Sequence, residues 1–132
     1  MRKPPFLTIG LVVLFLAGVW LFTRKLQETS VAAQFEITKS DLADSKVELE
    51  EFKRDCGRFP STEEGLDALQ NPPSKLKDRW RGPYGNHQKP KDPFGNPYLY
   101  ESKSPETFTL FSYGADGIQG GADDNEDLVV TN

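Results

Sequence analysis

The sequence contains few of the residues on which small exported proteins and enzymes usually depend. Its 132 residues include one cysteine, one methionine and one histidine. A single Cys56 excludes an intrachain disulfide, so an exported domain of this size needs another staple. His87 lies in a Gly-Asn-His-Gln-Lys segment without a nucleophile or a paired acid, which is typical of a surface residue rather than a general base. We therefore expect no enzymatic activity and no small-molecule substrate.

The charge of the chain is small but unevenly distributed. The net charge of −4 argues against general nucleic-acid affinity. Residues 75–91 nevertheless contain six basic residues against Asp78, whereas the chain from residue 101 onward contains seven acidic residues against Lys103. Such a separation suits head-to-tail packing of copies, and it also suits two independently solvated surfaces. Hydrophobic residues make up 36% of the chain, many of them near the N-terminus, so the remaining domain has a small core.

No charged residue interrupts the chain from Pro4 to Thr23. At about 1.5 Å per residue, a helix of this length spans the roughly 30 Å hydrocarbon core of a bilayer. We predict a membrane anchor in residues 1–25 and an exported domain in residues 26–132. A cleaved signal peptide with Val31-Ala32-Ala33 at its cleavage site is the alternative, but the long interval after the apolar run favours retention. The basic residues flanking the run are nearly balanced and decide the orientation only weakly.

An amphipathic helix follows the anchor. The segment between Lys25 and Asp55 contains neither glycine nor proline, so the anchor helix can continue through it, and Gly57 provides a natural end. Its less polar stripe recurs at steps of three and four residues: Val31, Phe35, Thr38, Leu42, Ser45, Leu49, Phe52 and Cys56. The stripe can pack on the protein's own domain or on another chain, and we favour self-packing for its second half. Cys56 is expected to be a small apolar residue that closes this helix.

The remainder of the chain predicts a small antiparallel sheet. Ser61 and Glu64 form a capping box that begins a short helix through Leu66 and Leu69. A long ordered loop rich in proline and aromatic residues follows. Strands are predicted at 98–100 and 107–113, joined by a hairpin with Pro105 in the turn, and at 128–131 as an edge strand. The fold class is therefore α+β.

Residues 113–127 have the composition of a calcium loop. Five acidic residues, Asp116, Asp123, Asp124, Glu126 and Asp127, lie within twelve residues that also contain three glycines. Calcium takes oxygen ligands from carboxylates and from carbonyls that flexible backbone turns inward. An EF-hand is excluded, because Leu128 occupies the position of its invariant glycine and the chain ends too early. A disordered acidic tail is the alternative, but apolar strand-like segments on both sides favour a metal site. An affinity of about 10⁻⁴–10⁻³ M, typical of extracellular modules, would place the domain outside the cytoplasm.

Four motifs, in this order, resemble the major pseudopilin of bacterial type II secretion, the G-type subunit. They are residues 56–69, the Trp80-Arg81-Gly82-Pro83-Tyr84 segment, residues 91–100, and residues 111–117 with Gly120-Gly121. The resemblance covers residues 57–129. It implies a pilin-like fold, in which a long N-terminal helix carries an α+β head, and a Ca²⁺ ion held by the C-terminal loop.

The resemblance also implies particular ligands, partners and a location. Asp116 matches the first side-chain ligand, Asp127 matches a later one, Asp124 is a weaker match, and the carbonyls of Tyr113 and Ile118 complete the shell. The implied location is the bacterial inner membrane, with a single pass and the C-terminal domain in the periplasm. Implied partners are other pseudopilins or copies of the same chain, which assemble into a helical piston, and secreted cargo indirectly.

The N-terminus departs from the family. Members carry a prepilin peptidase site, with glycine before a Phe that begins the mature chain and a glutamate five residues into that chain. Here Pro5 precedes Phe6 and no acid is nearby. Processing and filament formation are therefore not implied for this chain. The alternative function is a DNA-binding or DNA-uptake pilin that uses the basic and aromatic residues 75–91, including Trp80 and Tyr84. Because these aromatics coincide with family packing positions, we favour a structural loop and expect no nucleic-acid partner.

Overall fold

The computed structural model describes residues 5–85 and 91–132, apart from the side chains of residues 5–9, 11, 28, 29 and 124. The chain divides into two units, Met1–Ala33 and Gln34–Asn132. One helix, α1 (Pro5–Cys56), contributes residues to both. The absence of a break in α1 confirms the continuous helix predicted from the missing glycine and proline between Lys25 and Asp55. The boundary after residue 25 was predicted as the end of a membrane anchor, which the division after Ala33 does not test, so it stays a prediction.

In the first unit, α1 exposes large apolar side chains. Leu14 is 71% exposed, Phe15 69% and Phe22 65%. The Arg24 guanidinium lies 5.5 Å from the centre of the Trp20 ring. Much of the predicted anchor, namely residues 1–9 and 11, lies outside the side chains that the structure describes. Within the part that was described, no helix is both long enough and apolar enough to cross a membrane.

In the second unit, the predicted stripe of α1 is buried. Leu42, Leu49, Phe52 and Cys56 join the hydrophobic core, which confirms self-packing for the second half of the stripe. The polar members, Thr38 and Ser45, are buried as well. Their hydroxyls are satisfied there because each donates to a carbonyl one turn earlier, Thr38 Oγ1 to Gln34 at 2.8 Å and Ser45 Oγ to Asp41 at 2.7 Å.

The helix ends where the sequence indicates. Gly57 follows Cys56 with φ of +82°, a conformation that favours glycine, and its amide donates to the Lys53 carbonyl at 2.7 Å. The capping box also forms: the Ser61 amide donates to Glu64 Oε2 at 2.8 Å, and the Glu64 amide donates to Ser61 Oγ at 3.2 Å.

The helix that follows the capping box is a 3₁₀ helix, Leu66–Leu69, rather than an α-helix. Gly65 intervenes with φ of 55° and ψ of −161°, which is not helical geometry and separates the capping box from the helix. Ala68 and Leu69 are nevertheless buried in the core. The short helix is thus present over the predicted residues, but the capping box does not start it, because Gly65 is its N-cap and no side chain caps it.

Three antiparallel strands form one sheet in the order β1 (Leu99–Ser104), β2 (Thr107–Ser112) and β3 (Leu128–Thr131). Along β2, Phe108, Leu110 and Ser112 are buried, as expected for a strand with one face toward the core. β1 extends to Ser104, four residues beyond the prediction, and its register is irregular between Glu101 and Ser104. β3 is an edge strand, as predicted.

The described part of the long loop packs on the core. Tyr84 is 4% exposed and lies edge-on to Phe52, with ring centres 5.6 Å apart. Trp80 lies edge-on to Tyr84 and donates its indole N–H to the Ala68 carbonyl at 2.9 Å. The two aromatics therefore build the core, as the structural interpretation of this loop requires. The remaining residues of the loop, 86–90, lie outside the described residues, and with them His87.

Candidate cation-binding loop

Residues 113–127, hereafter the cation loop, connect β2 to β3. Ser112 at the end of β2 pairs with Leu128 at the start of β3. Both ends of the cation loop are therefore fixed to neighbouring positions of the sheet. The strand-like segments on its two sides were the reason to predict an ordered loop rather than an acidic tail, and the structure places them as paired strands.

Asp116 shapes the first half of the cation loop. Its side chain is exposed, and Oδ1 accepts a hydrogen bond from the Ile118 amide at 3.0 Å. Gly117, between them, has φ of +68°. This is the local turn that an aspartate side chain makes with the backbone two residues later. The second carboxylate oxygen of Asp116 remains on an exposed side chain, where a cation can reach it.

Asp127 reaches the same segment from the other end of the cation loop. Its Oδ2 accepts a hydrogen bond from the Gly120 amide at 2.8 Å. Asp116 and Asp127 thus bind amides that are two residues apart, at Ile118 and Gly120. The structure therefore brings the two strongest predicted carboxylate ligands to one short stretch of backbone.

Asp127 Oδ1 is buried and has no hydrogen-bond partner among the residues that the structure describes. A buried carboxylate oxygen without a partner is unfavourable, because it has lost its water and gained nothing in exchange. A cation at this oxygen would remove the penalty. The residues present therefore fit a hard cation such as Ca²⁺, whose ligands are oxygens.

Two glycines allow the backbone of the cation loop to approach itself closely. Gly114 has φ of +63°, and a Cβ added there would lie 2.7 Å from the Glu126 carbonyl oxygen. Gly121 has φ of +110°, and a Cβ there would collide with the Asn125 carbonyl oxygen. The first and last parts of the cation loop therefore meet backbone to backbone, which only glycine permits.

The other predicted ligands are backbone carbonyls and Asp124. Tyr113 directly follows β2, Ile118 donates its amide to Asp116, and Asp124 lies in a 3₁₀ helix, Asp123–Asn125. The side chain of Asp124 lies outside the described residues. Among the side chains that are described, no three from His, Cys, Asp and Glu lie together as a metal-holding group. A cation here would accordingly depend on carbonyl oxygens as well as on Asp116 and Asp127.

Sequence reasoning assigned no role to Asp92, Asn96 and Ser112, which contact the start of the cation loop. The Asn96 side-chain amide donates to the Gly114 carbonyl at 2.8 Å, and the Gly114 amide donates to Ser112 Oγ at 3.2 Å. Ser112 Oγ donates to Asp92 Oδ2 at 2.6 Å. The Asp-Pro-Phe-Gly-Asn turn was visible in the sequence, but its contact with Gly114, 18 residues after Asn96, was not.

Comparison with known proteins identifies the family. A family model described as type II secretion system (T2SS), protein G, matches residues 25–131. The type II secretion system core protein G of Pseudomonas aeruginosa is 36% identical over 101 residues, which cover 73% of this chain and 70% of that protein. The protein of the same name from Aeromonas hydrophila is 35% identical over 121 residues, covering 86% of this chain and 83% of that protein.

A solved structure of a pseudopilin is similar to this chain in fold. The crystal structure of the major pseudopilin from the type 2 secretion system of enterohaemorrhagic Escherichia coli matches with a TM-score of 0.61 and 27% identity, covering 76% of this chain and 85% of that chain. These matches confirm the pseudopilin resemblance and a structural rather than enzymatic role, and they do not support the DNA-binding alternative. The chain therefore belongs to the type II secretion system protein G family and is a pseudopilin component of that apparatus.

Proposed function

We propose that this chain is a membrane-anchored pseudopilin whose periplasmic domain is stabilised by a calcium ion in the cation loop. The single observation that carries the calcium proposal is Asp127 Oδ1, a buried carboxylate oxygen without a hydrogen-bond partner among the described residues. In the proposed site, the carboxylates of Asp116 and Asp127 and the carbonyls of Tyr113 and Ile118 hold the ion. Asp124 contributes a further carboxylate.

Calcium would supply electrostatic cross-linking and no reaction chemistry. The cation loop holds five acidic residues from Asp116 to Asp127 inclusive, and their mutual repulsion opposes its compact form. A bound divalent cation offsets this repulsion and joins the two halves of the loop. Cys56 is a free cysteine, so no intrachain disulfide stabilises the domain. The ion would provide the missing cross-link.

Calorimetry and thermal unfolding test the calcium site. The full-length chain in mild detergent is titrated with CaCl₂ after treatment with EGTA, and we expect a saturable single-site isotherm. Its thermal midpoint should fall when EGTA replaces calcium, because a ligand that binds only the folded state stabilises it by mass action. An equal concentration of MgCl₂ is the control for ionic strength. No calcium heat together with an unchanged midpoint would refute the site.

The anchor is supported by the uncharged run from Pro4 to Thr23 and by the exposed apolar side chains of α1, among them Leu14, Phe15 and Phe22. We infer a single pass through the bacterial inner membrane with the C-terminal domain in the periplasm, where a loop of extracellular-type affinity can fill with calcium. Intact mass of the membrane-extracted chain tests this. A mass that includes Met1 to Thr23 supports a retained anchor, and a mass lacking them contradicts it.

Assembly with other pseudopilins, or with copies of itself, is the proposed use of the exported domain. The relatives' names, core protein G and major pseudopilin, support this role, as does the separation of basic residues 75–91 from the acidic C-terminal region. Secreted cargo would be moved indirectly by the assembly. Cross-linking in cells that contain the whole apparatus should yield oligomers that include this chain. A purely monomeric pattern would contradict the proposal.

A further inference from the structure

The turn at residues 92–96 contacts the cation loop from outside. The turn is closed by its own hydrogen bonds: Asp92 Oδ1 accepts the amides of Phe94 at 3.0 Å and Asn96 at 2.9 Å, and the Asp92 amide donates to the Asn96 carbonyl at 2.8 Å. An antiparallel bridge between Lys91 and Pro97 flanks it. Asp92 is 4% exposed. The turn is thus closed by hydrogen bonds around one buried carboxylate, that of Asp92, rather than being a loose connection.

This turn fixes both backbone polar groups of Gly114, the carbonyl directly and the amide through Ser112. The Asn96 side-chain amide donates to the Gly114 carbonyl at 2.8 Å, and Asp92 accepts from the Ser112 hydroxyl, which in turn accepts the Gly114 amide. Asn96, Ser112 and Asp92 are here called the Gly114 clamp. Because the amide and the carbonyl of Gly114 are both fixed, the two peptide planes that flank it cannot rotate freely.

Gly114 is the point where the two ends of the cation loop meet. It directly follows Tyr113, whose carbonyl is a proposed ligand. Its Cα approaches the Glu126 carbonyl so closely that a Cβ would lie 2.7 Å from that oxygen, and Glu126 directly precedes Asp127. The clamp also touches the loop at Gly117, where a Cβ would lie 2.7 Å from Asn96 Oδ1. Fixing Gly114 therefore fixes the neighbours of ligands at both ends of the loop.

We propose that the Gly114 clamp is a positioning element for the calcium site: it holds the cation loop in its binding geometry before the ion arrives. This inference rests on the proposed calcium site. Asn96 itself is a positioning residue, because its side chain bonds the backbone of the loop. Outer residues that orient the direct ligands of a metal commonly contribute 10–100-fold to its affinity, and preorganisation lowers the ordering that binding requires.

Removing the amide of Asn96 tests the clamp. Asn96→Ala in the full-length chain should raise the calorimetric Kd for Ca²⁺ by about tenfold or more. The matched control is Asn71→Ala, which removes an exposed asparagine that donates to Asp67 Oδ1 within the same unit. The control should leave the Kd unchanged. Thermal midpoints are measured for each variant in saturating calcium and in EGTA.

The outcomes separate positioning from a merely structural contact. A positioning role predicts a weaker Kd in Asn96→Ala and a smaller calcium-induced rise in its midpoint. If the midpoint falls equally in calcium and in EGTA while the Kd stays at the wild-type value, the clamp proposal is wrong. Wild-type protein that binds no calcium overturns the calcium site itself, so the two failures are distinguishable.

A second variant keeps the test decisive if Asn96→Ala fails to fold. Asn96→Asp preserves the shape that packs against Gly117 but replaces the N–H donor with a carboxylate oxygen that faces the Gly114 carbonyl. The added negative charge by itself favours a cation, so weaker calcium binding in this variant would support the clamp strongly. Binding as tight as in the wild type, or tighter, would overturn it.

Discussion

The hydrophobic core and the cation loop are stabilised by different kinds of interaction. In the core, Leu49, Phe52 and Leu110 are fully buried, and stability comes from many apolar contacts together. In the cation loop, by contrast, shape depends on a few hydrogen bonds to backbone amides, and one buried carboxylate oxygen of Asp127 lacks a partner among the described residues. Core stability should therefore be independent of calcium, whereas loop stability should depend on it.

The largest expected effect is in the core. Phe52 is fully buried and packs edge-on against Tyr84. Phe52→Ala should lower the free energy of unfolding by about 3–5 kcal/mol, because the substitution removes apolar burial and leaves a cavity. Urea denaturation in calcium and in EGTA measures the loss in both states. If the core and the cation loop are independent, the loss is the same in both.

Val47→Ala is the control on the same helix. Val47 is 60% exposed, so its truncation should change stability by less than about 0.5 kcal/mol. Phe52→Leu supplies a milder core variant whose unfolding is measurable if the alanine variant is unfolded from the start. A loss that is clearly larger in calcium than in EGTA would show that the core and the loop are coupled.

The next largest expected effect is a pH dependence of stability that arises at Glu48 on α1, outside the cation loop. Burial, with a smaller contribution from the neighbouring Asp44 and Glu51 carboxylates, raises the pKa of Glu48 to about 7 from its usual 4.5. The folded state therefore favours protonated Glu48. Its contribution to stability is complete below about pH 4.5 and is lost as the pH rises through 7, by at most about 3 kcal/mol.

Glu48→Gln should abolish this loss, so the variant should gain stability over the wild type as the pH rises from 4.5 to 8. The measurement is urea denaturation across that range in EGTA, which removes any contribution from calcium binding. Glu50→Gln, an exposed position on α1, is the matched control and should follow the wild-type profile. Parallel profiles for Glu48→Gln and the wild type would contradict the assignment.

In the cation loop, Asp127→Ala should destabilise more in calcium than in EGTA, where it loses only the hydrogen bond from the Gly120 amide. At a calcium concentration 100-fold above Kd, lost binding corresponds to about 2.7 kcal/mol of unfolding free energy. Asp116→Ala should have the same calcium dependence. Glu126→Ala is the adjacent control, because its exposed side chain is not a proposed ligand. Equal effects from all three substitutions would indicate a diffuse acidic cluster instead of a site.

The difference between the two regions also explains what the sequence could predict. The buried stripe of α1 repeats every three or four residues, and the capping box places Ser61 three residues before Glu64, so both are local patterns. The polar half of β1, Glu101–Ser104, carries no hydrophobic signal, and its pairing is imposed by β2. Gly65 separates the short helix from the capping box through its backbone conformation, which residue type alone does not fix.

The cation loop was predictable in composition but not in its supports. Asp116 and Asp127 were predicted as ligands, which stays a prediction, and the structure shows that they accept amides from one stretch of backbone. The Gly114 clamp was missed because it joins Asn96 to Gly114 and Asp92 to Ser112, 18 and 20 residues apart. Contacts of this kind depend on how β2 packs beside the turn at residues 92–96, and no local periodicity records that arrangement.

The smallest predicted effect lies at the capping box. Ser61→Ala removes the hydroxyl that accepts the Glu64 amide, which should lower the free energy of unfolding by about 1 kcal/mol. The loss stays modest because Glu64 keeps the Ser61 amide and two hydrogen bonds of 2.7 Å from Arg58. Ser74→Ala, at an exposed serine, is the control for urea denaturation. Because the capping box is stabilised by protein groups alone, the loss should be equal in calcium and in EGTA. A calcium-dependent loss at Ser61 would mean that the ion stabilises more of the domain than the cation loop.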